Sequence, residues 1–253
     1  MYRKEVNERS PMRVFEKSMH GGLGRGNVGI VASVPGMGKT PLLVQIALDD
    51  LLRDRKVLHI SHENPVDHVR TFYSEVFHDL SAMSKLDEPD AVMLEIERNR
   101  MIFSLLCDRD DVPLSQRGGR TSIGRIQEVV KFARDAAQFQ PDVLIVDGFH
   151  LVRGSDEAVK ALAALAKEID AELWLSVTTE PVSGKTLPSP LDGIAALVQV
   201  AFCRLNHFEG SITSIQLNLG CFCSGNFNNA LGSCGFRLPF LFSLRLTVVV
   251  SEI

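Results

Sequence analysis

The pattern of apolar and polar residues along the chain predicts an α/β domain. Short apolar runs alternate with longer segments in which apolar residues recur at the spacing of a helix packed on one side. The runs are apolar almost throughout, which is typical of parallel strands covered on both faces. We therefore expect a mostly parallel central sheet flanked by helices. The predicted strands cover 28–32, 56–61, 101–106, 141–147 and 172–179, and the predicted helices follow Thr40 and cover 66–80, 87–99, 122–139 and 158–170.

The last part of the chain has a different pattern. Leu197–Arg204 and Ser211–Leu219 alternate between apolar and polar residues and predict a C-terminal β-hairpin. Gly220–Gly235 shows no period, and Phe236–Val250 is apolar but shorter than the ~20 residues that a membrane-spanning helix needs. We expect no membrane association. The predicted organisation is an N-terminal arm (1–14), one α/β domain (15–219) and an atypical tail (220–253).

The turn between the first strand and the first long helix carries the clearest chemistry. It reads Ser33-Val34-Pro35-Gly36-Met37-Gly38-Lys39-Thr40. Glycines in such a turn let backbone N–H groups surround an anion, and the helix N-terminus adds a partial positive charge. Lys39 would reach the β- and γ-phosphates of ATP, and the Thr40 hydroxyl would coordinate Mg²⁺. Ser33 stands where the full pattern has glycine, but none of the groups that touch phosphate is lost.

Two carboxylates follow buried strands at the edge where open α/β sheets bind their ligands. Asp147 ends its strand and is the candidate to support Mg²⁺, as an aspartate does in phosphate-loop NTPases. Glu63 follows the strand 56–61 and is the candidate to deprotonate the attacking water; the alternative is a solvated glutamate at a strand end. Thr178 and Thr179 end the fifth strand, where a hydroxyl could bind the γ-phosphate or the water, or could be a plain strand former.

Two other motifs are interpreted as carrying no site. Ser183–Thr186 repeats the Gly-Lys-Thr letters, but the prolines of Leu187–Pro190 prevent a helix from beginning there, so we expect an exposed loop. Cys221, Cys223 and Cys234 have no fourth ligand at a usual spacing, so we expect no metal there.

Composition narrows the function classes. The chain has 253 residues, which fits one large α/β domain with appendages. Its net charge of −4 and isoelectric point near 6.0 give no broad basic field, which weakens a nucleic-acid-binding interpretation. Five cysteines are too few, and odd in number, for a disulfide framework. The charged start of the chain shows no signal peptide, so we expect a cytoplasmic protein.

The glycine run Gly21–Gly26, the strand after it and the turn 33–40 together resemble the start of a RecA-like P-loop ATPase domain. The resemblance is closest to the KaiC and RadA branch, with DnaB-type helicases as cousins, and spans roughly 15–219. Val57–Glu63 is similar to that superfamily's second strand, whose terminal glutamate is the catalytic base. Asp147 matches the Walker B aspartate. The strand that ends at Thr178–Thr179 lies where the family often has a polar sensor.

Two function classes follow. The resemblance implies an ATPase in which Glu63 polarises water and Lys39 stabilises charge on the γ-phosphoryl oxygens, with work in DNA recombination, repair or unwinding and assembly into a homo-oligomer. The alternative is a nucleotide-gated signalling or assembly module with slow or no turnover and no nucleic-acid substrate. The family usually places Lys and Arg after its last hairpin, and Asn218–Gly235 contains neither.

Pro41 is a further departure from the family pattern. It lies in the first helical turn and is tolerated there, because the N–H that proline lacks would have no partner within the helix.

Overall fold

The computed structural model describes residues 3–8, 10, 12–13, 16, 21–106, 120–151, 156–179, 194, 197–198, 200–203, 214–219, 236–238 and 244–250, with side chains except at 120–122 and from 200 onward. In chain order the elements are α1 (Arg3–Glu8), β1 (Val28–Ser33), α2 (Lys39–Leu51), β2 (Val57–Ser61), α3 (Val66–Ser84), α4 (Pro89–Arg98), β3 (Arg100–Ser104), α5 (Arg120–Lys131), β4 (Val143–Phe149), α6 (Asp156–Glu168), β5 (Glu172–Thr178), β6 (Val200–Cys203), β7 (Ser214–Leu219), β8 (Phe236–Leu238) and β9 (Leu244–Val250). A π-helical turn, Phe132–Ala136, continues α5. Within these ranges, none of the helices is long and apolar enough to cross a membrane.

A parallel sheet of six strands, in the order β3-β2-β4-β5-β1-β6, forms the centre of the fold. Its central strands are buried along nearly their whole length, because helices cover both faces. One apolar layer packs the sheet against α2, α3 and α4, and the other packs it against α5 and α6. The predicted α/β class, with a parallel sheet flanked by helices, is confirmed.

The predicted hairpin between 197–204 and 211–219 is wrong. Within the first range, β6 pairs in parallel with β1 and extends the central sheet. Within the second, β7 pairs in parallel with β9, and β9 pairs antiparallel with β8, in a separate three-stranded sheet. An existing sheet edge offers β6 a complete ladder, whereas an isolated two-stranded hairpin is only marginally stable. The β7–β9 pairing also joins residues on the two sides of the boundary expected at 219.

Gly29 and Trp174 account for the close contact between β1 and β5. The two residues lie opposite each other in the parallel register, and the indole is almost fully buried. A Cβ on Gly29 would lie 2.5 Å from two ring carbons of Trp174, so only glycine leaves room for the indole. This packing places the chain's single tryptophan in the same apolar layer as α2.

The N-terminal helix α1 packs at the C-terminal end of α2. Val6 is buried there, and the Asn7 side-chain amide donates to the Asp49 carbonyl at 2.9 Å. The Arg3 guanidinium donates to the Leu52 carbonyl at 2.8 Å, one of the carbonyls that α2 leaves without a partner in its last turn. This part of the predicted N-terminal arm is therefore a helix docked on the domain, at the edge of the sheet opposite the carboxyl ends of the strands.

Candidate functional site

The predicted site residues lie together at one edge of the sheet, where the carboxyl ends of β1, β2, β4 and β5 meet. Parallel strands all present their carboxyl ends at the same edge, and the loops that follow them form a common surface. The turn 33–40 leaves β1, Glu63 follows β2, Asp147 lies near the end of β4, and Thr178–Thr179 ends β5. The sheet order places β5 between β1 and β4, so side chains of β5 lie between the turn and Asp147.

Two glycines of the turn have a left-handed backbone conformation. Gly36 and Gly38 have φ angles of 74° and 81°, in the left-handed region that favours glycine. Gly38 is the residue before α2, and its carbonyl accepts the first intrahelical bond from the Leu42 N–H at 3.2 Å. Pro35, Gly36 and Gly38 are exposed to solvent. The turn in front of α2 is therefore open to solvent, and the helix dipole favours an anion at this end of the helix.

Lys39 begins α2 and is largely buried, with only 8% of its surface exposed. Among the described residues, no hydrogen bond or ion pair joins its ammonium group to a protein atom. A counter-charge stabilises a largely buried lysine, and a phosphate group at the turn would supply one.

Ser33, the residue in place of the usual glycine, is buried, and its hydroxyl donates to the Val34 carbonyl at 3.1 Å. The Ser33 hydroxyl thus bonds to the backbone of the next residue.

Thr40 and Asp147 are in direct contact. The Thr40 hydroxyl donates to Oδ2 of Asp147 at 2.8 Å, and both residues are buried. Two hard oxygen atoms at this separation suit Mg²⁺, which binds one or two protein oxygens and takes its other ligands from phosphates and water. In the part of the chain that the structure describes, no group of three or more His, Cys, Asp or Glu side chains could hold a metal by itself. The donor set therefore fits a magnesium ion shared with a bound phosphate.

A β-bulge places the Asp147 side chain. The register of β4 against β5 shifts between Val146 and Phe149, which leaves Asp147 and Gly148 opposite Ser176 alone. Gly148 has a φ of 76°, which only glycine adopts readily. The Gly148 N–H donates to Oγ of Ser176 at 2.7 Å, and the Ser176 hydroxyl donates to Oδ1 of Asp147 at 2.5 Å. Asp147 therefore accepts one hydroxyl at each carboxylate oxygen.

Glu63 lies beside the bulge. Its side chain crosses Gly148 so closely that a Cβ there would lie 2.4 Å from Cγ of Glu63, while the residue as a whole is exposed to solvent. The loop that carries it is held at its other side: the Asn64 N–H donates to Oγ of Ser61 at 2.9 Å, and the Ser104 hydroxyl donates to the Asn64 carbonyl at 3.0 Å. Gly148 thus links the two carboxylate residues. The Glu63 side chain packs on Gly148, and Asp147 is the residue before Gly148 in the chain.

A buried polar cluster lies beneath the site. Nδ1 of His59 is 3.1 Å from the Tyr73 hydroxyl, and the Arg100 guanidinium lies 4.4 Å from the centre of the Tyr73 ring. Burial lowers the pKa of His59 to about 4; the nearby Asp147 opposes this shift and Arg100 adds to it. Among the residues that the structure describes, none forms a hydrogen bond with Nε2 of His59. At neutral pH the imidazole is therefore uncharged, and it adds no cation next to the Asp147 carboxylate.

Thr178 and Thr179, the predicted sensor residues, lie at the end of β5. Thr178 is exposed and lies opposite Ser33 in the register of β1 and β5, while Thr179 is buried and its N–H donates to the Ser33 carbonyl at 3.1 Å. These contacts fasten the turn to β5 without showing a sensor role for either hydroxyl. The predictions for Ser183–Thr186 and for the three tail cysteines lie outside the described residues.

Sequence reasoning missed Ser176 and Gly148. Both carried a signal: Ser176 is a polar residue inside an otherwise apolar strand, and Gly148 is a glycine inside a strand, which often marks a bulge. Comparison of the chain with protein-family models and with curated proteins gives no match. The assignment of a function therefore depends on the geometry of the site.

Proposed function

We propose that the protein is a RecA-like P-loop ATPase that binds ATP with Mg²⁺ at the turn 33–40 and hydrolyses it. The observation that carries the proposal is the 2.8 Å contact between Thr40 and Asp147 beneath a glycine turn in the left-handed conformation. A glycine turn alone is common, and so is an aspartate near a strand end. Their direct contact, with a buried lysine between the turn and the helix, supports a magnesium nucleotide as the ligand.

Each residue has a distinct part in the proposed reaction. The N–H groups at the start of α2 and the Lys39 ammonium bind the phosphates and stabilise the charge that spreads onto the γ-phosphoryl oxygens. Glu63 orients a water molecule and accepts its proton as the water attacks the γ-phosphorus, the bond from that phosphorus to the bridging oxygen breaks and ADP leaves. Thr40 and Asp147 would hold Mg²⁺, which would neutralise phosphate charge. The exposure of Glu63 and its contact with Gly148 agree with a base at the open side of the site.

The proposal separates binding from chemistry, and two variants test this. Lys39→Ala should bind a fluorescent ATP analogue at least ~10²-fold more weakly, because a phosphate loses its charge-assisted contact. Glu63→Gln should keep the affinity within a few-fold, while phosphate release falls by ~10²-fold or more, because only the base is lost. Lys185→Ala, in the second Gly-Lys-Thr sequence, is the matched control and should leave both quantities unchanged.

The outcomes distinguish the two function classes. Unchanged ATP affinity in a folded Lys39→Ala protein would mean that the turn is not the phosphate site. Tight binding by the wild type without turnover, with or without single-stranded DNA, would favour the nucleotide-gated alternative. Retention on DNA that weakens with salt would extend the proposal to DNA work. Assembly into a homo-oligomer, which the family resemblance implies, is checked by light scattering with and without ATP.

A further inference from the structure

We propose that Ser176 is a positioning residue that holds the Asp147 carboxylate for Mg²⁺, a role that rests on the proposed function. Ser176 is fully buried on β5, and its hydroxyl is 2.5 Å from Oδ1 of Asp147. It does not lie at the strand end, where the loops approach a ligand. Its contribution is therefore made through Asp147 and not by contact with the nucleotide.

The bulge in β4 fixes which way the Ser176 hydroxyl points. A bulge leaves a residue outside the regular ladder of backbone hydrogen bonds, so the Gly148 N–H needs another acceptor. Oγ of Ser176 is that acceptor, at 2.7 Å. Because its oxygen already receives the Gly148 proton, the hydroxyl directs its own proton to Oδ1 of Asp147. The backbone of the bulge thus holds the serine, and the serine holds the carboxylate.

Ser176 and Thr40 contact opposite oxygens of the Asp147 carboxylate. In the structure Thr40 donates to Oδ2 of Asp147. A threonine oxygen that coordinated Mg²⁺ would use a lone pair and keep its proton, so Thr40 could still donate to Oδ2 while Ser176 fixes Oδ1, and the two contacts together would set the rotation of the carboxylate. Residues that orient the ligands of a metal typically contribute ~10- to 100-fold to metal affinity. Thr40 and Asp147 are the only predicted metal-binding pair here, so the effect of Ser176 should appear in the Mg²⁺ dependence.

The test is a Mg²⁺ titration of ATP binding and of phosphate release for the full chain. Ser176→Ala should raise the half-saturating Mg²⁺ concentration about tenfold, while turnover at saturating Mg²⁺ is retained. Ser176→Thr keeps the hydroxyl and should return the half-saturating concentration towards the wild-type value. In an Asp147→Asn background, Ser176→Ala should add no further effect, because the group it orients has been changed. Ser74→Ala removes an exposed hydroxyl on α3 and is the matched control.

Each outcome decides the proposal. A Ser176→Ala protein that is less stable but has the wild-type Mg²⁺ dependence would show a purely structural serine and would overturn it. So would a Ser176→Thr protein as defective towards Mg²⁺ as the alanine variant. A wild-type chain that binds no magnesium nucleotide would overturn both this proposal and the proposed function. A wild-type chain that binds it, beside an unaffected Ser176→Ala variant, would overturn the role of Ser176 alone.

Discussion

Replacing Gly148 with alanine tests whether Glu63 must stand where the structure has it. The new Cβ would lie 2.4 Å from Cγ and 2.9 Å from Cδ of Glu63, closer than the 3.0 Å that real Cβ contacts respect. To restore ordinary contact at 3.4 Å, the Glu63 side chain has to move by about 1 Å. Gly148 is one residue from Asp147, so the displacement occurs at the centre of the proposed site.

Two effects follow, and they can be measured separately. A non-glycine residue at a φ of 76° costs about 1–3 kcal/mol of stability. A misplacement of about 1 Å in a catalytic group can cost ~10²-fold in rate. We therefore expect Gly148→Ala to lose both stability in urea and about two orders of magnitude in ATP turnover, with ATP affinity changed by only a few-fold. Gly21→Ala controls for backbone strain, because Gly21 has a φ of 130° and an added Cβ would meet no atom within 4 Å.

A double variant identifies Glu63 as the cause. In a Glu63→Gln background, Gly148→Ala should reduce turnover little further, because the base that it displaces is already absent. The assay is steady-state phosphate release at saturating Mg²⁺ and ATP, at a temperature where urea unfolding shows every variant folded. Wild-type turnover in Gly148→Ala would refute the reasoning, since Glu63 would then act equally well from a displaced position or would not act at all.

Three further predictions use other parts of the structure. Gly29→Ala should destabilise the protein by about 1–3 kcal/mol in urea, because its Cβ would press on the buried Trp174 ring; Gly124→Ala, on an open helix face, should not destabilise it. Since the folded-state pKa of His59 is lowered from 6.5 to about 4, the free energy of unfolding should fall by up to about 3 kcal/mol as the pH falls through that window. His59→Gln should remove this part of the pH dependence, and equal slopes for both proteins would count against it. Asp147→Asn should weaken the Mg²⁺ dependence of ATP binding in a metal titration, and an unchanged titration would argue against a metal role.

The central strands and the helices could be predicted from sequence because the apolar period is a local property. The location of Asp147 and Glu63 near the carboxyl ends of strands could be predicted for the same reason, since each lies at or close to the end of an apolar run. The partner of each strand is not a local property. Alternation in 211–219 is compatible with pairing at any sheet edge, and in the structure the hydrogen-bonded partner of β7 is β9.

The contacts around Asp147 depend on pairing between distant strands and could not be predicted. Whether Ser176 faces Asp147 depends on the register of β4 against β5. The bulge shifts that register between Val146 and Phe149, where Asp147 lies. A shift of one residue would turn Ser176 to the opposite face of the sheet. Likewise, the sequence suggests that Glu63 and Gly148 each lie near a strand end, but not that the two are in contact.

The position of β1 in the sheet has a consequence for synthesis of the chain on a ribosome. β1 is made first among the strands, yet its neighbours in the central sheet are β5 and β6, which are made late. The anchoring of the turn 33–40 to β5 therefore waits until residue 179 has emerged, when the Thr179 N–H can donate to the Ser33 carbonyl. Until then the nascent chain exposes both edges of β1, and such non-local parallel pairing is slow to form. Nucleotide affinity should thus appear abruptly with β5, late in translation.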